Sequence, residues 1–117
     1  MTKGKKVEKG KAVGLDALVG YQDGAVVSRT VIDKPVGTVT MFSFDEGEGL
    51  SEHTAPYDAM VLVVDGEAEI TVAGKVSAVR AGEMIILPAG RPHALRAASR
   101  FKMLLVMIRA HLPTRGS

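Results

Sequence analysis

The sequence predicts an all-β protein, an antiparallel sandwich or barrel, and three observations carry that expectation. From residue 25 onward, short runs rich in Val, Ile, Thr and Phe are separated by closely spaced turn signals. Helix periodicity is nearly absent, and only Leu15 to Gly20 looks like a short helical turn. The chain has 117 residues, 46% hydrophobic and 24% charged, with no Cys and no Trp. That length and balance fit one domain around one core, and they exclude a disulfide scaffold, a thiolate metal site and a cysteine nucleophile.

Ala25 to Ile32 is expected as the first long strand, with Val26, Ser28, Thr30 and Ile32 on one face and Val27, Arg29 and Val31 on the other. Lys34-Pro35-Val36-Gly37 turns the chain into a strand over Thr38 to Phe44, and the acidic Asp45-Glu46-Gly47-Glu48-Gly49 reads as a loop. Met60 to Val64 is continuously apolar, and Asp65-Gly66 after it is a strong hairpin signal. Glu67 to Ala73 would then return as a separate strand. Gly74-Lys75 turns into Val76 to Arg80, and Ala81-Gly82 leads to Met84 to Leu87. Pro88-Ala89-Gly90 turns into His93 to Ala97, and Phe101 to Ile108 is the last strand. Eight or nine strands at this spacing close a sandwich or a barrel.

The charge divides unevenly. Residues 1 to 11 hold Lys3, Lys5, Lys6, Lys9 and Lys11 against Glu8, while the rest of the chain carries ten basic against twelve acidic residues. The basic balance therefore belongs to the N-terminus, and the body is mildly acidic. A basic arm can grip nucleic acid or an anionic membrane. No aromatic residues interleave with these lysines, so residues 1–12 are expected as a flexible, solvated arm and nucleic acid is not an expected partner. No apolar segment approaches the ~20 residues of a membrane span. Ala12 to Val19 is short and broken by Gly14 and Asp16, unlike a signal-peptide core. The expected arrangement is a single domain over residues 13–110, a disordered tail over 111–117 and a cytoplasmic location.

Two windows carry more than periodicity. In the first, five residues separate Gly47 from His53-Thr54-Ala55, three more lead to Ala59, and six more to Gly66. In the second, five residues separate Gly82 from Pro88-Ala89-Gly90, two more lead to His93, and three more to Ala97. This spacing resembles the paired motifs of the cupin superfamily and implies a jelly-roll (double-stranded β-helix) barrel. In that family the first motif supplies two histidines and a glutamate, and the second one further histidine. Here the resemblance puts Ala55 at the second histidine and Ala59 at the glutamate, leaving His53 and His93. The asparagine that often ends the second motif is Ala97.

Two imidazoles and two methyl groups make a poor site for a tightly held divalent ion, since such sites use three or four protein ligands. No resident cofactor is therefore expected. The alternative is a divalent transition metal on His53 and His93 with open coordination positions, in an enzyme of the cupin dioxygenase, isomerase or decarboxylase type. Asp58, next to the glutamate position, should face the other way, because neighbours on a strand point to opposite faces. The expected ligand pocket is His53, Ala55, Tyr57, Ala59, Val61 and His93, apolar walls with two polar fixtures for a small organic molecule.

Other readings stay beside this one. Val61, Val63 and methionines could fill the space, and each histidine could be a core residue bonded to a backbone carbonyl. Met41, Met60, Met84, Met103 and Met107 fall in expected strands. Thioethers beside imidazoles suit Cu(I), although methionine serves more often as an adaptable core filler. Asp45, Glu46, Glu48 and Glu52 read as a solvated acidic loop. Met60–Val64 and Met103–Ile108 are apolar on both faces, which points to a homodimer that covers the outer one. A structural or regulatory dimer with a basic arm is the third functional class.

Overall fold

The structure, a computed structural model, describes residues 2–3 and 6–109. The expected tail at 111–117, with His111, lies outside the described residues. Nine strands are described: β1 (Thr2–Lys3), β2 (Val26–Lys34), β3 (Gly37–Phe44), β4 (Gly49–His53), β5 (Ala59–Val72), β6 (Lys75–Arg80), β7 (Met84–Leu87), β8 (His93–Arg96) and β9 (Phe101–Ile108). Among the described residues a single 3-10 turn, Asp16–Leu18, falls inside the expected helical turn.

The strands form two sheets that share β5. One runs β1-β2-β3-β9-β5-β7 and the other β6-β5-β8-β4. All pairings are antiparallel except that of β1, inside the lysine-rich arm, which pairs parallel with β2 at Thr2↔Val27 and Lys3↔Ser28.

The structure corrects the expected hairpin at Asp65-Gly66. Met60–Val64 and Glu67–Ala73 are not two strands but one, the 14-residue β5. Its first half pairs with β7 and β9, and its second half with β6 and β8. The register against β9 slips between Val63 and Asp65, so Asp65-Gly66 is a bulge that passes the strand from one sheet to the other. Gly66 has φ 74°, and a Cβ there would run into the Arg100 carbonyl oxygen. A left-handed glycine thus serves a bulge here as it would serve a turn. The Ala73-Gly74 turn, with φ 49° and 83°, is the true β5–β6 hairpin.

Inward-facing residues of both sheets make the main core. Phe44, Val61, Val63, Ala68, Ile70, Ala97, Phe101 and Met103 are fully buried. Phe44 and Phe101, partners in the β3–β9 register, stack with ring centroids 4.5 Å apart. Together they plug one end of the barrel.

A second cluster lies on the outer face of the first sheet. Leu18 and Val19 pack there on Val27 and Met41, beside Val7, Val31, Val64 and Leu104. The segment is tied down by Arg29 Nη1 to the Leu18 carbonyl (3.1 Å) and by Ser43 Oγ to the Gly20 carbonyl (2.8 Å). Lys102 Nζ, buried beneath it, donates to the Asp16 carbonyl and carboxylate and sits 4.9 Å from the Tyr21 ring. Arg100 bonds the carboxylates of Asp45 and Asp23. Part of the outer apolar surface expected to need a second copy is therefore covered by the chain itself. Met60, Leu62 and Val106 remain half-buried on that face, and Met84 and Ile86 are exposed.

Candidate functional site

The end of the barrel opposite the phenylalanines is open, and the loops of both sequence motifs meet there. Gly90 N–H donates to the Ala55 carbonyl (2.7 Å), and Asp58 Oδ1 accepts from Ala89 N–H (2.8 Å). Asp58 thus holds the Pro88-Ala89-Gly90 turn and stays out of the interior, as strand alternation requires.

His53 ends β4 and His93 begins β8, and the two are direct partners across the strands. The sequence reading missed β4. Its Gly-Leu-Ser-Glu-His run offers one apolar residue and no alternation, and backbone pairing with β8 holds it in the sheet. His53 is exposed and His93 buried, with Nε2 atoms 3.1 Å apart and ring centroids 4.4 Å apart.

The other ring nitrogens decide what those Nε2 atoms are. His53 Nδ1 lies 2.8 Å from the Ser51 carbonyl, and His93 Nδ1 lies 3.3 Å from the Arg91 carbonyl. A carbonyl only accepts, so an Nδ1 that carries a hydrogen donates there. The two Nε2 atoms face each other at hydrogen-bond distance, so a hydrogen on one is accepted by the other, and the tautomers set which ring donates. Burial lowers the pKa of His93, and charge repulsion from His53 lowers it further, against a smaller raising contribution from the Arg91 carbonyl. The pair is thus a polar fixture in an otherwise apolar wall.

Beneath the imidazoles lies a cavity of about 50 Å³. Ala55, Ala59 and Val61 line it together with Leu50, Leu87 and Leu95, and β9 adds Met103, Leu105 and Met107. The imidazole nitrogens are the side-chain polar atoms in this wall. Five of the six expected pocket residues meet here, namely His53, Ala55, Ala59, Val61 and His93. Tyr57 is half-buried and lies outside the wall. Val61 and Val63 are fully buried, and Val61 also borders this space. Two larger grooves, of about 440 and 500 Å³, are open depressions on the outer surface.

The expected pocket names no β9 residue, although methionines are among the expected fillers of the space. Met107 stands directly opposite Ala59 in the β5–β9 register, a pairing that spans 48 positions of chain and has no local signal. The acidic loop also has a different job from the one expected for all of it. Asp45 accepts from Arg100 Nε at 2.7 Å and from Gly24 N–H at 2.6 Å. These bonds hold its carboxyl down at about 2, so Asp45 fastens the N-terminal segment to the barrel.

Both Nδ1 atoms are anchored as in histidine ligands of metals, but Ala55 and Ala59 offer only methyl groups. Among the described residues no group of three or more His, Cys, Asp or Glu side chains could hold an ion. The residues present do not fit a resident divalent metal.

The chain matches the Cupin domain family over residues 40–109, and with its two-sheet barrel it belongs to the cupins. It is 36% identical to a conserved protein of unknown function from Streptococcus pyogenes, over 96% of this chain and 98% of that one, with a TM-score of 0.88. A cupin 2 conserved barrel domain protein from Leptotrichia buccalis is 46% identical over 78% of this chain and 44% of its own, with a TM-score of 0.75. A cupin superfamily protein from Desulfitobacterium hafniense is 26% identical over 91% of this chain and 97% of its own, with a TM-score of 0.84. Among curated proteins, no significant match is found. Among the described residues, no helix is long and apolar enough to cross a membrane.

Proposed function

We propose that this cupin is a binding module for a compact organic molecule and holds no tightly bound divalent metal. The observation that carries the reading is the apolar cavity of about 50 Å³ roofed by two facing Nε2 atoms. Drug-sized ligands occupy roughly 300–1,000 Å³. A water needs about 10–15 Å³ by this measure, so the space takes a body of only a few heavy atoms. Its apolar part would rest on Ala55, Ala59 and Leu87, and a hydroxyl or amine would donate to the imidazole pair.

The test joins elemental analysis to ligand screening by NMR, on protein purified without metal resin. The expected result is divalent metal far below one per chain. Compact alcohols and amines should shift the Ala55 and Ala59 methyl signals in the wild type but not in His93→Ala. Near-stoichiometric divalent metal that disappears in His53→Ala would overturn the reading and favour an enzyme with open coordination positions.

The protein works as a homodimer in this proposal, through the uncovered outer strip of Met60, Leu62, Met84, Ile86 and Val106. A monomer at micromolar concentration in analytical ultracentrifugation would contradict that part.

A further inference from the structure

We infer that the groove between β6 and β7 is a second binding site, for a small amphiphilic carboxylate whose charged head meets Lys75 and Arg91. The inference goes beyond the organic-ligand reading and uses none of its residues.

The groove follows from the bend in β5. Both β6 and β7 pair with β5, but on opposite sides of the Asp65-Gly66 bulge, so they run in different sheets. Between them opens a groove of about 500 Å³, a volume that suits one small molecule. Val72, Ile85 and Pro88 give it an apolar floor. Val72 and Ile85 also pack against the main core, which fixes that floor in place. Ile86, on the rim, belongs to the strip proposed to join two copies, so the groove opens beside that contact.

The charge in the groove is one-sided. The body of the chain is mildly acidic, yet Lys75 and Arg91 line this groove and no carboxylate does. Elsewhere on the barrel, Arg80, Arg96, Arg100 and Lys102 each meet an aspartate or a glutamate. Among the described residues, the exposed Lys75 ammonium and Arg91 guanidinium have no carboxylate partner. Ala73 N–H donates to the Pro92 carbonyl at 2.8 Å, and this bond ties the loop that carries Arg91 to the hairpin that carries Lys75. A guanidinium offers a carboxylate two parallel N–H donors, and an ammonium adds a point charge. An alkyl chain or ring on that carboxylate would cover the apolar floor. The lysine-rich N-terminal segment has the wrong sign to fill the site.

The experiment follows the Ile85 and Ile86 methyl signals by NMR as the full-length protein is titrated with octanoate at low salt. Octanol, acetate and octylamine lack the charged head, the apolar body and the negative sign in turn. Octanoate should bind at least tenfold more tightly than any of them, weaken as salt is added, and leave the Ala55 and Ala59 methyls unmoved. Lys75→Gln and Arg91→Gln alter exposed side chains and should keep the fold, yet each should weaken octanoate binding at least threefold. The double variant Lys75→Glu, Arg91→Glu should prefer octylamine to octanoate, a reversal that loss of the fold would not produce. No response to millimolar octanoate, octanol binding as tightly, or displacement by an equal concentration of inorganic phosphate would overturn the inference. So would a response at Ala55 and Ala59 in place of Ile85 and Ile86, an unchanged affinity in either Gln variant, or an unreversed preference in the double variant. Compact alcohols report at Ala55 and Ala59, so failure here and failure of the barrel-cavity reading are read separately.

Discussion

The two ends of the barrel use the same strands to opposite effect. At one end β3 and β9 bring Phe44 and Phe101 together as stacked, fully buried rings, and Gly66 lets the chain bend tightly around Phe101. Six residues along β9, the partners are Met107 and Ala59, and the space they leave is roofed by imidazoles rather than filled by rings. The closed end is built for stability. The open end gives up packing for a site, because small residues stand where large ones would fit. Stability and binding should therefore respond to different substitutions.

The largest expected effect is at the closed end. Phe101→Ala should cost about 3–5 kcal/mol in denaturant unfolding, and a loss under about 1 kcal/mol would mean the stacked pair is not the main prop of the core. Gly66→Ala comes next. It combines a left-handed φ with a collision against the Arg100 backbone, and should cost more than about 1 kcal/mol. A neutral result would mean that β5 is interrupted at Asp65-Gly66 after all.

The clamp between the N-terminal segment and the barrel should show in acid. The Asp45 carboxyl, bonded to Arg100 and the Gly24 N–H, is held at about 2, below the ordinary carboxylate value near 3.8. Its contribution to stability is present above that ordinary value and is lost as pH falls toward 2. Asp45→Asn should therefore melt below the wild type at pH 7, and the two melting curves should converge near pH 2. A constant gap would contradict the clamp.

At the open end, Ala59→Val should change stability by less than about 1 kcal/mol, since there is room for the added methyl groups, and should abolish binding of compact alcohols. Retained binding would place the ligand elsewhere. The lowered pKa of His93 adds a pH signature at the same end. Because the folded ring resists protonation, the unfolded chain takes up the proton first as pH drops below the ordinary value of about 6.5. Stability should fall with acidification in that window, and His93→Gln should flatten the slope.

Much of this contrast was legible in the sequence, and the rest was not for identifiable reasons. The motif spacing around His53 and His93 was enough to place both imidazoles at one end of a barrel, because glycine, proline and histidine at those intervals demand particular turns. Asp65-Gly66 misled, since a left-handed glycine is the same letter in a hairpin turn and in a bulge. β4 was invisible because its stability comes from backbone pairing with β8 rather than from its own side chains. The packing of Leu18 and Val19 on the outer face, and of Met107 against the Ala59 position, depend on partners far along the chain. Local pattern carries no trace of such register.

The binding proposal requires that two bare Nε2 atoms face each other over the apolar cavity. Long-range ¹H–¹⁵N NMR of the histidine rings near pH 7.5, on protein freed of metals and ligands, tests it most directly. That proposal predicts hydrogen on Nδ1 and none on Nε2 of both His53 and His93. A hydrogen on Nε2 of either ring would mean that the pair satisfies itself, and the site would then have no free acceptor to offer a ligand.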